Sequence, residues 1–390
     1  MTTPPVPTPG ATVAGLPRSG IRQIMELAME RGGTLNLSFG EPDFDTPAHI
    51  VAAADEAARA GRTRYTASRG IPELREAAAA AIARRGGHPV APDQIVATVG
   101  GVQGVLATLA ATCDRGDRVL VPDPCWPNYV GICTLLGLEI VRYPLPAATG
   151  FEPDLDELEA LAAAAGAKVL ITNTPSNPTG AVWRRETVAG TVELAVRHGM
   201  FVLSDEVYDE MAFDGEHVPA APYAPDHVVT VYSLSKTYAM TGWRIGYVAA
   251  PSGLVGSLGK VPEVEVSCPT APAQWAAVAA LTGPQDCVRE MRDAYRLRRD
   301  LAVATLREEG VFSAEPRGAF YVFADISAAT SDTFGFAEHL VREHGVAVAP
   351  GDTFGPGGAG LLRISLAAAP DTITEGIRRI GAAVRAGVPV

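Results

Sequence analysis

The sequence predicts an α/β protein, with a large domain on a mainly parallel sheet and a smaller α+β domain. Three observations predict it. Short β-branched runs alternate with helical stretches from residue 95 to residue 203, the pattern of a sheet covered by crossover helices on both faces. A long stretch with helical apolar spacing, from Asp286 to Glu309, then leaves that series and enters a region of strands around a glycine-rich loop. At 390 residues, with 47% hydrophobic and 19% charged residues, the chain is long enough for two cores and too apolar for disorder.

The boundaries this pattern sets are 1–15 for a flexible Pro-rich arm, 16–45 with 291–390 for the small domain, and 46–290 for the large one. The arm, MTTPPVPTPGATVAG, lacks a basic region followed by an apolar one and is expected to be no secretory signal. Ile21, Ile24, Met25 and Ala28 mark a short helix leading into LNLSFGEPDF, where Gly40 sits in a turn that lets backbone approach a ligand. Thr46 as N-cap and Pro47 at the first position open a helix that Gly61 closes. Tyr65 lies in an exposed-looking RYTASRG segment before a Pro-started helix over 72–85.

Strands are expected at Ile95–Val99, Arg118–Val121, Glu139–Tyr143, Val169–Thr172 and Phe201–Leu203, with helices between them, one over Glu186–His198. Two more follow at Val228–Tyr232 and Ile245–Ala250. PRGAFYVF reads as a strand, and GVAVAPGDTFGPGGAGLLRISLA as two strands around a loop. Gly355 to Gly360 matches GxGxxG, but a strand follows where a dinucleotide site needs a helix, so it reads as loop.

Composition excludes several classes. A net charge of −12 without basic clusters and interleaved aromatics argues against a nucleic-acid partner. No apolar run approaches the length of a membrane span. Five cysteines, odd in number and without CxxC or zinc spacing, point to a reduced, cytoplasmic setting and no metal.

The chemistry concentrates between Val228 and Ala250, where a polar segment carrying Ser233, Ser235, Lys236 and Arg244 joins two strands. The chain has only three lysines, Lys168, Lys236 and Lys260. A lysine on a short loop at a strand end, between small hydroxyls and ahead of an arginine, is arranged as a covalent anchor beside an anion site. Taken singly, either residue is better read as a solvated surface side chain. The S-x-x-K match of Ser233–Lys236 lacks the S-D-N and K-T-G partners of a serine hydrolase, the chain having Ser204-Asp205-Glu206 and Lys236-Thr237-Tyr238 instead. Ligands of such sheets sit at the carboxyl ends of the strands. That rule converges the amides of Gly100-Gly101-Val102-Gln103, the segment Asn173 to Gly180, the segment Asp205 to Tyr208, and Ser233 to Lys236 on one place.

Together LSFGEPDF, RYTASRGIPELR, TVGGVQ, NTPSNPTG, SDEVY, SLSKTYAMTGWRIGY, PRGAFY and LRISLA make the chain, from Pro17 onward, resemble the class I/II aminotransferases, and within them the bacterial aspartate aminotransferase-like subgroup. The resemblance implies fold type I with a sheet of the seven-stranded type, pyridoxal 5'-phosphate as cofactor, and a ping-pong transfer of an amino group from an L-amino acid to a 2-oxo acid. By the same resemblance Lys236 forms the Schiff base and moves the proton, and Asp205 pairs with the pyridine nitrogen. Asn177 and Tyr208 bond the ring oxygen, and Trp126 stacks on the ring. The amides of Gly101 and Val102, with Ser233, Ser235 and Arg244, hold the phosphate. Tyr65 reaches the phosphate of a neighbouring subunit, implying a homodimer with shared sites. Arg363 clamps the substrate carboxylate with Gly40 close by, and Trp126 and Asn177 also line the substrate side. Closure of the small domain over substrate is expected in turn.

The subgroup's aspartate enzymes typically carry a lysine after the glycine pair. This chain has Val102, which favours a neutral aliphatic or aromatic amino acid, although Arg18 and Arg22 remain possible cations for aspartate. A lyase or oxidase on the same scaffold is the first alternative, since the cofactor carries the chemistry. A non-enzymatic, cofactor-binding regulator is remote, because the roughly 15 residues before the first helix leave no room for a DNA-binding domain.

Overall fold

The chain, described over residues 7–387 in this computed structural model, threads its strands through three sheets. Strand β1 (Leu35–Asn36) comes first. Then follow β2 (Ile95–Thr98), β3 (Arg118–Asp123), β4 (Glu139–Pro144), β5 (Val169–Asn173), β6 (Phe201–Asp205), β7 (Val228–Ser233) and β8 (Gly246–Ala249), which form the large sheet in the order β2-β8-β7-β6-β5-β3-β4. The pairs from β7 through to β4 are parallel, and only β8 runs against its neighbours β7 and β2. The expected seven-stranded, mainly parallel sheet is what the chain forms.

Its strands are apolar on both faces because helices cover both. All five residues of β5 are buried. Side chains alternate between two cores with the two-residue period of a strand: Leu120, Leu170 and Val202 enter one, while Val119, Val121, Val169, Ile171 and Leu203 enter the other. Helix Gly100–Thr112 follows β2, helix Pro127–Leu136 follows β3, and helix Arg185–Arg197 follows β5.

A smaller α+β part carries β9 (Tyr321–Asp325), β10 (Val346–Ala347), β11 (Ala349–Pro350) and β12 (Leu361–Ser365). β1 pairs with β10 in parallel, and β11-β12-β9 form an antiparallel sheet. Ile24, Ala28 and Leu37 from the start of the chain share a core with Tyr295, Ala302 and Leu306 of helix Asp286–Glu309 and with Ile373, Ile377 and Ile380 near the end. The other face of the antiparallel sheet lies on the large sheet, where Phe323, Ala349 and Phe354 join Leu120 and Tyr143.

Some local expectations change. Residues 1–6 of the expected flexible arm lie outside the described residues, and the rest of the arm contains a helical turn, Ala11–Ala14. Thr46 does not cap the next helix. That helix runs Ala48–Arg59 with Pro47 at the cap and no side-chain bond, because the Thr46 hydroxyl donates to the Ala239 carbonyl at 2.6 Å. The glycine-rich segment from Gly355 to Gly360 is loop and short 3-10 turn ahead of β12, as its context requires.

Candidate active site

The carboxyl ends of adjacent parallel strands supply most of the chemistry. β5 ends at Asn173, β6 at Asp205 and β7 at Ser233, with Asn173 paired to Asp205 and Asp205 to Val231 in the ladder. They open onto a cavity of about 350 Å³ that every expected site residue except Tyr65 lines. Tyr65 is 86% exposed and stands outside it.

Lys236 is not on an open loop. Residues Leu234–Thr237 make one helical turn, capped by the Ser233 hydroxyl accepting from the Ser235 amide at 3.2 Å. The turn aims the lysine into the cavity, where its amine donates to the Gly40 carbonyl. Burial lowers the Lys236 pKa to about 8; Glu41 opposes the shift, and Arg363 and Arg244 add to it.

Asp205 is buried at the floor. It accepts from the Tyr129 hydroxyl at 2.5 Å and from the Val207 amide at 3.4 Å. Burial nevertheless raises its pKa to about 6, with Tyr129 and Val207 pulling the other way and Glu206 adding slightly to the rise. The Asn173 side chain holds the surrounding backbone, donating to the Asp205 carbonyl at 3.0 Å and accepting from the Asn177 amide at 2.9 Å.

Gly100 opens helix Gly100–Thr112 at φ +74°, so a side chain is disfavoured, and a Cβ there meets Arg244 Nη2 at 2.6 Å. The unpaired amides of that first turn, the hydroxyls of Ser233 and Ser235 and the Arg244 guanidinium border the cavity together, forming an anion cradle. Arg244 is itself in left-handed backbone at φ +53°, and its Nη1 donates to the Thr241 carbonyl at 2.7 Å. A non-glycine residue there costs on the order of 1 kcal/mol, which the surrounding contacts must offset.

Arg363 closes the opposite side. β12 is the central strand of its sheet, not the edge strand that leaves an arginine in water, and Arg363 is 2% exposed. Nη1 donates to Asn177 Oδ1 at 2.9 Å and Nη2 to the Ser38 carbonyl at 2.8 Å, while Nε is buried without a partner. Its cation lies 4.3 Å from the Tyr321 ring centre and 4.9 Å from that of Phe354. The Tyr208 hydroxyl shares a 3.0 Å bond with the Tyr321 hydroxyl. Trp126 lines the cavity wall edge-on to Tyr129, with ring centres 5.3 Å apart.

Tyr129 and Tyr321 were missed at the level of sequence, as were Ile21, Asn128 and Thr241 of the lining. Both tyrosines sit inside motifs, PNYV and AFYV, but a lone aromatic in an apolar run reads as core.

The donor set fits pyridoxal phosphate. A buried carboxylate with no basic partner matches a ring nitrogen that carries a proton, the amide and hydroxyl cradle matches a phosphate, and a buried amine of lowered pKa matches a carbonyl carbon.

Comparison with known proteins agrees. An aspartate/prephenate aminotransferase of Thermus thermophilus is 37% identical over 95% of both chains, and an aromatic-amino-acid aminotransferase of Thermococcus litoralis is 37% identical over 93% of this chain and 94% of the relative. The structure of Thermus thermophilus aspartate aminotransferase with maleate superposes with a TM-score of 0.91 at 36% identity, covering 97% of this chain and all of the other. The sequence profile of aminotransferase class I and II matches residues 33–380. The chain belongs to the class I and II aminotransferases and is a pyridoxal-phosphate-dependent enzyme of the transaminase type.

Proposed function

We propose that the amino donor is an L-amino acid with a neutral aliphatic or aromatic side chain, and that the residues of the cavity divide the work as follows. When bound, the cofactor supplies an electron-accepting ring that takes up the charge left on the donor's α-carbon. Lys236 anchors it, and its amine, part neutral near pH 8, then carries the proton from the α-carbon. Asp205, aimed by Tyr129, keeps the ring nitrogen protonated. Tyr208 and the Nδ2 of Asn177, whose Oδ1 is taken by Arg363, donate to the ring oxygen. Trp126 covers one ring face. The Gly101 and Val102 amides, Ser233, Ser235 and Arg244 hold the phosphate, and Arg363 beside Gly40 takes the donor's carboxylate through its fork.

The lining carries the specificity reading. The cavity's lining includes the apolar Ile21, Val102 and Trp126, and among its lining residues Lys236, Arg244 and Arg363 are the only cations. A second reading, a dicarboxylic donor, has two observations in its favour: the Thermus thermophilus relatives carry aspartate in their names, and Arg18 and Arg22 line the groove that continues from the cavity past Gly40 and Trp126. Arg18 there pairs with Glu26 at 3.0 Å, which reduces its pull on a ligand.

The test is to add L-phenylalanine, L-alanine, L-glutamate and L-aspartate separately to the cofactor-loaded enzyme, without acceptor, and follow the loss of pyridoxal absorption. The proposal expects the neutral donors to bleach it at the highest specificity constant, with Val102→Lys raising the aspartate rate. Faster bleaching by aspartate in the unaltered enzyme overturns it.

The small domain, taken as 16–45 with 291–390, is proposed to close over 46–290 when substrate binds, because Gly40 and Arg363 belong to the one and Lys236 to the other. Small-angle scattering that detects no compaction with saturating analogue refutes this. The exposed Tyr65 supports a homodimer in which it completes the partner's phosphate site, and analytical ultracentrifugation of the loaded enzyme decides it. Five free cysteines support a cytoplasmic setting. Among the described residues no helix is long and apolar enough to cross a membrane.

A further inference from the structure

We propose that Arg85, which touches neither cofactor nor substrate, is a positioning residue that fixes the Lys236 turn against the Tyr208 turn. Arg85 caps helix Pro72–Arg84, and its side chain leaves the helix end to run into the core, where it is 17% exposed. Each of its three guanidinium nitrogens holds a different side chain. Nη1 reaches Asp209 Oδ2 at 2.9 Å, Nε reaches Glu210 Oε1 at 2.5 Å, and Nη2 donates to the Tyr238 hydroxyl at 3.1 Å.

The chain positions of those partners give the contact its meaning. Asp209 and Glu210 directly follow Tyr208, and Tyr238 lies two residues beyond Lys236. One side chain therefore bridges the two segments that carry the ring-oxygen donor and the covalent anchor. The bridge is itself fixed at its far end, because the Tyr238 hydroxyl donates on to Gln285 Oε1 at 2.8 Å, and Gln285 Nε2 donates to the carbonyls of Ala280 and Gly283.

The geometry suits arginine alone. A lysine has one compact donor centre and reaches one of the three partners, leaving a carboxylate or the hydroxyl to shift. Asp209 is 6% exposed, so a loosened Asp209 cannot simply turn to water, and its segment must move with it. A displacement of the order of 1 Å between two groups acting on one cofactor costs up to about 100-fold in rate, with no contact to substrate lost.

The inference rests on the roles proposed above for Lys236 and Tyr208. Borohydride reduction separates the two ideas: if the cofactor is not trapped on Lys236, those roles fail and the positioning role falls with them. If it is trapped, Arg85→Lys and Tyr238→Phe are compared as loaded enzymes, by single-turnover kinetics and by pH titration of the lysine-bound cofactor's absorption. We expect the maximal rate to fall about tenfold in Arg85→Lys and about threefold in Tyr238→Phe, with the donor concentration for half-maximal rate unchanged within about twofold. The titration midpoint is expected to rise in both, because a less well placed Tyr208 hydroxyl stabilises the deprotonated ring oxygen less. The double variant is expected to lose less than the product of the single effects, since both act through one bridge. Unchanged midpoints and maximal rates in both variants overturn the proposal, whatever thermal unfolding does, because they leave Arg85 a stabilising residue only. Should Arg85→Lys fail to fold, Tyr238→Phe, which removes one hydroxyl, decides by the same two readouts.

Discussion

Asp205→Asn is expected to make the cofactor-free protein more stable above pH 6 while weakening its hold on the cofactor. Burial lifts the Asp205 pKa from 3.8 to about 6, against the pull of the Tyr129 hydroxyl at 2.5 Å. The unfolded chain releases that proton near pH 4, whereas the folded chain keeps it until about pH 6. The stability this group contributes is therefore complete below about pH 4, falls as pH rises through about 6, and stays low above. Two units at about 1.36 kcal/mol each make a penalty of roughly 3 kcal/mol at pH 8. Asparagine accepts the Tyr129 bond without ionising, so it escapes the penalty. Urea unfolding of both cofactor-free proteins at pH 3, 4.5 and 8 is expected to show near equality at the lowest pH, an advantage of about 1 kcal/mol for the variant at pH 4.5 and of roughly 3 kcal/mol at the highest. Saturating cofactor is expected to reverse the order, because only the carboxylate meets a protonated ring nitrogen. A variant no more stable than the unaltered protein at pH 8 refutes the argument that the fold stores an unmatched charge for its cofactor.

Three further outcomes follow from the same geometry. In the cofactor-free protein, acylation of the Lys236 amine is expected to become half-maximal near pH 8, where an ordinary lysine stays protonated to pH 10, and both the acylation and the borohydride-trapped cofactor should vanish from that site in Lys236→Ala; peptide mass mapping reads both. Arg363→Lys keeps the charge but loses the fork and the stacking on Tyr321 and Phe354, so the KM for the amino donor is expected to rise by roughly 30- to 1000-fold, about 2–4 kcal/mol, in steady-state assays. Gly40→Ala places a Cβ 2.8 Å from the Tyr321 hydroxyl, a clash expected to cost about 1–3 kcal/mol of stability or an equivalent loss in kcat/KM; combining it with Tyr321→Phe should recover most of the loss in thermal unfolding and in rate.

The sheet was legible because strands buried on both faces read as short β-branched runs, and the rule that ligands gather at their carboxyl ends then located Lys236, Asp205, Asn177 and the glycine pair. Properties set by contacts between distant segments were not legible. Whether β12 is edge or centre depends on a two-residue partner, Ala349–Pro350, too short to leave a pattern, and that decided whether Arg363 met water or the cavity. Thr46 has the composition of a cap, yet its hydroxyl is taken by a carbonyl 193 residues away. Tyr129 meets Asp205 across 76 residues, and nothing in PNYV distinguishes a carboxylate orienter from a core aromatic. The helical turn under Lys236 escaped because one turn has no periodicity, and its only local sign is the Ser233 cap.

The cavity inverts the charge of the molecule that contains it. The chain carries a net charge of −12, yet the charged residues lining the cavity are Lys236, Arg244 and Arg363 with Asp205 as the one acid. Distant surface carboxylates act only weakly there, since their field decays over about 8 Å in physiological salt, and the exposed Glu41 at the cavity mouth is the acid that reaches Lys236. Burial is the main cause of the lowered Lys236 pKa; Glu41 opposes it, and the buried Arg363 and the exposed Arg244 both push the Lys236 proton off, in the same direction as burial. On the proposed assignment, a site that holds a phosphate at one end and a carboxylate at the other would thus have an amine of lowered pKa between them without a dedicated base. The same logic makes the effect self-limiting. On that assignment, a guanidinium that acquires its anion would push less on Lys236, and the amine would regain affinity for a proton at the stage when it is proposed to take one from the donor's α-carbon.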